Sequence, residues 1–543
     1  MLVVAQRPQE SREPERGRAS TTVTPVRPNV LLVTLDQFRA DCLGVAGHPL
    51  VLTPTLDRLA GEGVRFTHHF SNCAPCGPGR ASLLTGLWQM NHRVTDNGAP
   101  LAAHLPTLPD LLRPLGYRPT LFGYTDTTYD PATLSPGAPE LRFWEQPMRG
   151  FDLGVHLDDF IGPWLEWLAD EGFDVPARSD YFTIYDPVDV KIPADRGETW
   201  APPIYDAEHT ESAFLTRQAL GWLERELDRT GGAAAGDPWC AHLSYLRPHP
   251  PWIVPSPYND MFDPADVPAP VRHDDRDAEG ALHPFVAAAL GIVPSPASRL
   301  DQDQLRATYY GMIAEVDHQL GVLLDGLDAL GQRDDTVVIV TSDHGEQLGD
   351  HWLVEKLGFF DQSYRIPLIV RWPRMDGPVG RTVDAFTENV DVVPTIVDLC
   401  GGEHPAFCDG ASLRPFLDSG FTGVEAPERW RDAVHTEYDF RMPTTTLIED
   451  TFGIRQDQCT VSVIRDREGK YVQFAGGLPP LFFDLVDDPG ELVDVAADPD
   501  RAGQVLDYAQ RLLRMHMEHT DPRLANHRAT PGGPVFRPDP PRP

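Results

Sequence analysis

The clearest hydrophobic pattern in the chain is a pair of continuous apolar runs, each followed at once by polar residues. NVLLVTLDQ at 29–37 and TVVIVTSD at 336–343 are apolar at nearly every position, which is typical of strands buried on both faces of a parallel sheet. IPLIVRW at 366–372 predicts a further strand. The pattern predicts an α/β fold with a large, mainly parallel sheet sandwiched by helices.

Apolar residues at helical spacing precede the second of these runs. They recur up to Gly331, which stands where a helix stop belongs, and they are Ile313, Val316, Leu320, Leu323, Leu324, Leu327 and Leu330. A second, short helix is predicted in TLPDLLRPLGY at 107–117, ending at Gly116. A helix that leads into a buried strand is the alternation expected of an α/β domain.

The pattern changes after about residue 420. TVSVIRD, KYVQF and LFFDLVDD predict a few antiparallel strands, and a helix is predicted near residues 501–517. Pro-rich segments at 127–210 and 250–300 show little periodicity and are expected to build the rim of a site or a subunit contact. Four regions follow: a disordered arm at 1–26, a catalytic domain at 27–420, a smaller C-terminal α+β subdomain at 421–520 and an extended tail at 521–543.

The charge balance narrows the class of partner. Acidic residues outnumber basic ones by 81 to 46, and the net charge is −35, which disfavours nucleic acid and anionic membranes. No apolar run approaches the roughly 18 residues of a membrane span, and the Arg-rich start does not read as a secretory signal. A cytoplasmic enzyme acting on a small molecule is therefore expected.

Polar residues follow both buried strands. Asp36 and Gln37 come after the first, and Asp343 and His344 after the second. In an open α/β sheet, ligands bind beyond the carboxyl ends of the strands. A single Asp at a strand end is often only a turn former. Two pairs of possible metal ligands at the ends of two strands instead favour a site for a divalent cation. The mixed oxygen and nitrogen set suits Mn²⁺, Zn²⁺ or Fe²⁺ better than Ca²⁺.

The stretch CAPCGPGR at 73–80 poses a separate question. Cys73 and Cys76 have the spacing of a redox pair or half a zinc site, yet Cys400 and Cys408 do not supply the second half. Residues 76–86 read as a tight turn that feeds a helix, so Cys76 is expected at a helix N-terminus, where an anion is favoured. The redox interpretation stays open at this point.

C-x-P-x-R followed by a short helix ending in Thr-Gly resembles the signature of the sulfatases, in which the cysteine is oxidised to formylglycine. The resemblance covers about residues 28–500 and includes PHPP at 248–251, TSDHGEQLGDH and LFFDLVDDPGEL. It identifies a member of the alkaline phosphatase superfamily. Gln37, His344 and Tyr124 resemble the phosphonate monoester hydrolase and phosphodiesterase branch, whereas common arylsulfatases carry Asp-Asp, TSDNG and GKWH at these places.

This resemblance implies a hydrolase of phosphonate monoesters and phosphodiesters, promiscuous enough to cleave sulfate monoesters. The nucleophile would be a hydrated formylglycine derived from Cys76 by a formylglycine-generating enzyme. Its two hydroxyls have separate tasks, because one attacks and the other later expels the product. The resemblance also implies a homotetramer and one divalent ion, Mn²⁺ before Zn²⁺, Fe²⁺ or Ca²⁺, held by Asp36, Gln37, Cys76, Asp343 and His344.

The same resemblance assigns roles to further residues. Arg80 would fix the modified side chain, while Asn97 and Tyr124 would contact a non-bridging oxygen of the substrate. His249 and Lys356 would face the departing group. Asp126 stands where the arylsulfatases have the histidine of GKWH, so its role is open, and it is a candidate base. Each of these residues taken alone also has an ordinary structural interpretation.

Charge counting favours one class of substrate. Tyr124 removes a positive charge and Gln37 a negative one relative to the arylsulfatase pattern, so we expect singly charged esters to be preferred over dianionic phosphate monoesters. Two alternatives stand beside this hypothesis. One is an arylsulfatase or alkyl sulfatase with the same machinery, and the other is a non-catalytic, metal-binding homologue.

Overall fold

The computed structural model describes residues 27–158, 160–230, 238–373, 379–418, 427, 430–520 and 527–536. The predicted arm at 1–26 lies outside the described residues. In chain order the strands are β1 (Asn29–Leu35), β2 (Val64–Phe70), β3 (Cys73–Ala74), β4 (Pro100–Leu101), β5 (Pro119–Gly123), β6 (Thr128–Tyr129), β7 (Asp152–His156), β8 (Cys240–Tyr245), β9 (Thr336–Thr341), β10 (Leu368–Arg371), β11 (Arg381–Glu388), β12 (Val434–Asp439), β13 (Thr460–Arg465), β14 (Gly469–Phe474), β15 (Leu481–Asp484), β16 (His527–Thr530) and β17 (Gly533–Phe536).

The α-helices of the described residues range from one turn to a long central helix. They are α1 (Pro54–Glu62), α2 (Cys76–Thr85), α3 (Gln89–His92), α4 (Leu108–Leu112), α5 (Gly162–Asp170), α6 (Glu211–Thr230), α7 (Arg276–Gly280), α8 (Pro284–Ile292), α9 (Arg299–Ala329), α10 (Asp361–Tyr364), α11 (Val392–Leu399), α12 (Arg414–Leu417), α13 (Leu447–Phe452) and α14 (Ala502–His519). No helix in the described part of the chain is long and apolar enough to cross a membrane.

The central sheet has eight strands in the order β11-β2-β10-β9-β1-β8-β5-β7. Its strands are parallel to their neighbours except β10, which runs antiparallel to both β2 and β9. Leu31 and Val33 face one apolar cluster, with α1, α5, α6 and α9, and Val30 and Leu32 face the other, with α2, α4, α11 and α12. This two-sided burial explains the continuous apolar run of β1, and the predicted α/β sandwich is confirmed.

Two of the predicted helices differ in extent from their sequence pattern. α9 begins at Arg299, where the Ser298 hydroxyl accepts a hydrogen bond from the Asp301 amide, well before the apolar spacing that predicted it. The helix at 107–117 is split into α4 and a 3₁₀ turn, and Gly116 ends it in the left-handed region at φ 88°. A Thr107–Asp110 capping box fixes its start.

A second sheet lies at the C-terminal side, in the order β15-β14-β13-β12-β3. Its predicted antiparallel strands are present, but β3 joins β12 in parallel, so Cys73 pairs with Glu437. The segment that leads into α2 is therefore an edge strand of the C-terminal sheet. Residues 527–536, within the predicted tail, form the hairpin of β16 and β17. The border near residue 420 stays a prediction.

Candidate active site

Four buried side chains meet where the carboxyl ends of β1 and β9 approach the N-terminus of α2. Asp36 follows β1, Asp343 and His344 follow the neighbouring β9, and Cys76 is the first residue of α2. Each offers a ligand atom, and these atoms lie within 4.8 Å of one another. Cys76 Sγ and His344 Nε2 are 3.2 Å apart. A divalent cation fits this set, because two carboxylates, an imidazole and residue 76 converge out of contact with bulk water.

Arg80 lies one turn further along α2 and ties the cluster together. Its fully buried guanidinium donates to Asp343 Oδ2 and to Asp36 Oδ2, each at 2.9 Å. It also donates to the Tyr124 carbonyl at 2.9 Å and to Ser244 Oγ at 2.6 Å. Charge-assisted bonds of this kind fix both position and charge. Ser244 was not predicted, although a polar residue near the end of the buried strand β8 is a usable signal.

Gln37 and Lys356 form the next layer of the site. The Gln37 carbonyl oxygen accepts a hydrogen bond from Lys356 Nζ at 2.7 Å, and its amide group donates to the Glu346 carboxylate. Lys356 Nζ also lies 3.0 Å from His249 Nε2. Glu346 was missed by the sequence reasoning, although its place in TSDHGEQLGDH, three residues after Asp343, could have indicated it. Burial, together with Glu355, raises the pKa of Glu346 to about 8.

His249 is held as a neutral imidazole. Its Nδ1 donates to the Pro250 carbonyl at 2.7 Å, which leaves Nε2 to accept from Lys356. Burial and the neighbouring Lys356 lower the pKa of His249 to about 3. Burial alone would lower the pKa of Lys356 as well, but the negative charges around it raise it. Of the two residues predicted to face the departing group, Lys356 therefore carries the positive charge.

The pKa values of the Asp36 and Asp126 carboxyl groups are shifted in opposite directions. Burial would raise the pKa of Asp36, but Arg80, His344, Lys356 and the Tyr124 hydroxyl, which donates to it, lower that pKa overall. For Asp126, burial and the carboxylates of Asp36 and Asp343 outweigh the nearby Arg80 and raise the pKa to about 7. Asp126 Oδ2 is buried without a hydrogen-bond partner among the described residues. Asp126 is thus poised to exchange a proton near neutral pH.

Residue 76 and Asn97 complete the arrangement. The Asn97 carbonyl accepts a hydrogen bond from the Gly77 amide at 2.7 Å, so its NH₂ group is the end left for a substrate oxygen. Burial and Asp36 raise the pKa of the Cys76 thiol well above its usual range. A thiol in that state is a poor nucleophile at neutral pH. All the predicted site residues therefore gather in one place, although the role of each stays a prediction.

A cavity of about 150 Å³ opens above this cluster. Its floor includes Cys76, Asn97, Tyr124, Asp126 and His249. Its wall comes from the irregular segment predicted to form a rim, which contributes Trp144, Glu145, Leu157, Asp158, Ile161, Tyr181, Phe182 and Tyr185. These wall residues carry no sequence motif, and sequence reasoning named none of them.

Comparison with protein families assigns the catalytic part of the chain. Residues 28–402 match the family described as Sulfatase. The chain belongs to the sulfatase family. Residues 349–518 also match the C-terminal region of N-sulphoglucosamine sulphohydrolase. The resemblance deduced from CAPCGPGR and the strand-end residues is thus confirmed.

Several known proteins are similar to this chain over nearly its whole length. The multifunctional alkaline phosphatase superfamily protein PehA of Trinickia caryophylli is 40% identical, over 93% of this chain and 98% of its own length. The phosphonate monoester hydrolase structure from Agrobacterium radiobacter has 44% identity and a TM-score of 0.87, covering 94% of this chain and 100% of that one. The phosphonate monoester hydrolase of Silicibacter pomeroyi has 38% identity and a TM-score of 0.85, with coverages of 94% and 99%.

Proposed function

We propose that this protein is a metal-dependent hydrolase that cleaves phosphonate monoesters and phosphodiesters, and also sulfate monoesters, with a formylglycine formed from Cys76. The observation that carries the proposal is the convergence of Asp36, Asp343 and His344 on Cys76 at the start of α2. The names of the relatives at 40% and 44% identity support the phosphonate assignment. An arylsulfatase or alkyl sulfatase with the same machinery is the second candidate.

Formylglycine would replace the Cys76 thiol with a hydrated aldehyde at the same position. Its oxygens would stand where Sγ now lies, 3.2 Å from His344 Nε2. Asp36, Gln37, residue 76, Asp343 and His344 would hold the divalent ion, which neutralises charge on the transferring group and favours the ionised nucleophile. The preference for Mn²⁺, the maturation enzyme, the homotetramer and the cytoplasmic location stay predictions.

The residues around this position have separate tasks in the proposed reaction. Arg80 holds both carboxylates in register, and Asn97 offers its NH₂ to a non-bridging oxygen of the ester. Lys356 stabilises the negative charge that develops on the departing oxygen. His249 fixes the direction of Lys356 Nζ, because its Nε2 is an acceptor only. We assign to Asp126 the removal of a proton when the second hydroxyl expels the product, since its pKa is near 7.

The charge of the site supports singly charged substrates. Arg80 is already paired with two carboxylates, and Lys356 is the positive group closest to the departing oxygen. Tyr124 adds no positive charge and donates its hydroxyl proton to Asp36. When the divalent ion, the two carboxylates and an ionised nucleophile are counted with Arg80 and Lys356, the site would keep about one net positive charge. That matches a singly charged ester better than a dianionic phosphate monoester.

Two measurements test the proposal. Mass spectrometry of the peptide that contains Cys76, in protein from its native host, should show the elements of H₂S exchanged for oxygen, and an unmodified cysteine there would remove the proposed nucleophile. A panel of matched nitrophenyl esters should then give the highest kcat/KM with a phosphonate monoester or phosphodiester. A sulfate ester ahead of both would favour the sulfatase alternative, and a phosphate monoester ahead of all would contradict the charge argument.

A further inference from the structure

The wall of the cavity above Cys76 combines carboxylates with aromatic rings. Besides Asp126 on the floor, Glu145 and Asp158 contribute carboxylates, and the aromatic residues are Trp144, Tyr181, Phe182 and Tyr185. Among the described residues that line the cavity there is no Lys or Arg. A leaving group in this cavity therefore meets negative charge and ring faces. The observation concerns specificity, because the reacting anion lies below, near Arg80 and Lys356.

Two of the carboxylates have oxygens that accept no hydrogen bond from the described residues. Asp126 Oδ2 is buried and receives no hydrogen bond from the described residues, and its distance to Arg80 Nε is 3.6 Å. The half-buried Asp158 carboxylate accepts no hydrogen bond from the part of the chain that the structure describes. Leaving an acceptor unpaired in a site costs free energy that a complementary ligand recovers.

The nearest positive groups are already engaged elsewhere. Arg247 pairs with Glu211 at 2.5 Å behind Tyr185. The Arg178 guanidinium lies over the Phe160 ring, and neither of these two residues lines the cavity. Lys356 is bound to Gln37 and His249 at the floor. None of these cations lines the cavity, although the Arg247 guanidinium lies 5.2 Å from the centre of the Tyr185 ring. The carboxylates of the wall and floor therefore make the upper cavity negative, in a chain whose net charge is −35.

The rings at the mouth favour the same kind of ligand. Phe182 is 55% exposed and Trp144 38% exposed, so both present ring surface to an entering molecule. Aromatic faces attract cations through their quadrupoles, and alkylated ammonium groups are bound well by such rings because they are also apolar. A purely neutral aryl group would use the rings but would leave the Asp158 carboxylate without a partner from the described residues or the ligand, and an anionic leaving group would be repelled.

We propose that the leaving-group cavity selects esters of an alcohol that carries an ammonium group, and most of all a quaternary one. The substrate would then be zwitterionic, with its anion at Cys76 and its cation between Asp158 and the rings of Trp144 and Phe182. This inference rests on the proposed function for the place of the reacting anion. The preference between alcohols depends only on the residues of the cavity wall.

The test compares choline with neohexyl alcohol, in which carbon replaces the charged nitrogen at nearly the same shape. Binding is measured by ligand-observed NMR and by inhibition of nitrophenyl ester hydrolysis. We expect choline to bind about tenfold more tightly, as one desolvated cation–π contact and one carboxylate would give. Equal binding of the two alcohols would overturn the inference.

Variants locate the preference. Asp158→Asn should reduce the choline-to-neohexyl ratio about fivefold, and Phe182→Leu should reduce it by a smaller factor, whereas the exposed Asp174→Asn, outside the lining, should leave it unchanged. A ratio that does not respond to Asp158→Asn would also contradict the inference. The NMR arm needs no turnover, so selective binding without hydrolysis would overturn only the proposed function, and hydrolysis without selectivity only this inference.

Discussion

Among the described residues, two clusters of side chains could each hold a metal ion, one of them fully buried and the other partly so. One is the active-site cluster of Asp36, Cys76, Asp343 and His344. The other, which we call the interface cluster, consists of His435, Glu437 and His516. The α2–α3 segment touches both, since α2 carries Cys76 and the Met90 amide of α3 donates to Glu437 at 2.8 Å.

The clusters differ in how their charges are balanced. In the active-site cluster, Arg80 donates hydrogen bonds to both carboxylates but brings only one positive charge, so the pair still attracts a cation. In the interface cluster, the Ser462 hydroxyl bridges His435 Nε2 at 2.9 Å and His516 Nε2 at 2.7 Å. Burial raises the pKa of Glu437 to about 8 and lowers that of His435. The two imidazoles share the Ser462 hydroxyl, which joins α14 to the C-terminal sheet, and the Glu437 carboxylate accepts from the Met90 amide. His435 Nδ1 is buried with no hydrogen-bond partner among the described residues.

The largest expected effect is a difference in activity between variants of Cys76, in the active-site cluster, and of Cys73, in the neighbouring strand β3. Cys76→Ala should reduce kcat/KM by about 10⁴-fold or more, because the proposed nucleophile is removed. Cys73→Ala should keep most of the activity, because Cys73 Sγ contacts Ser82 of α2 and His92 of α3 and does not belong to the active-site cluster. Steady-state kinetics on one nitrophenyl ester measures both. An equal loss in the two variants would mean that the cysteines act as a pair.

Much of the active-site cluster could be predicted from the sequence, because its residues sit at strand ends and in a helix-start motif. Asp36, Asp343, His344 and Cys76 fall where parallel strands and α2 place them. The interface cluster was not predicted, because it depends on the pairing of β3 with β12 and on the packing of α14. These contacts join distant segments: Met90 and Glu437, for example, are more than 300 residues apart in sequence. The cavity wall was not predicted because irregular segments have no periodicity that fixes their side chains in space.

Metal content gives the next largest contrast. The purified enzyme should hold one divalent ion per chain, and Asp343→Asn should lose most of it because a carboxylate ligand is replaced by a neutral amide. His516→Asn should keep one equivalent, since its imidazole is bonded to Ser462 in a neutral network. Elemental analysis by mass spectrometry after gel filtration measures both. Two equivalents in the wild type, falling to one in His516→Asn, would show that the interface cluster also holds a metal.

Variants of Lys356 and His249, at the edge of the active-site cluster, show which of the two stabilises the departing group. Lys356→Ala should reduce kcat by about 10²–10³-fold, the loss typical of removing a group that stabilises developing negative charge. His249→Ala should cost less, because the imidazole is neutral and only orients Lys356 Nζ. The loss in Lys356→Ala should grow as the leaving-group alcohol becomes more basic. A larger loss for His249→Ala across that series would instead make the histidine the proton donor.

The smallest expected effect concerns Glu437 in the interface cluster and appears in stability. The folded-state pKa of about 8 lies above the 4.5 of a free glutamate, so the folded protein binds this proton more tightly than the unfolded chain. Stability should therefore fall as pH rises from about 5 to 8, and a Glu437→Gln variant should lack this contribution to the fall. The melting temperature of the variant relative to the wild type should rise by a few degrees over that range and level off above it. Glu403→Gln, exposed and outside both clusters, is the control for the change of Glu to Gln and should give a flat difference. A flat difference for Glu437→Gln as well would mean that Glu437 is ionised in the fold, and the interface cluster would then carry the charge that a metal site requires.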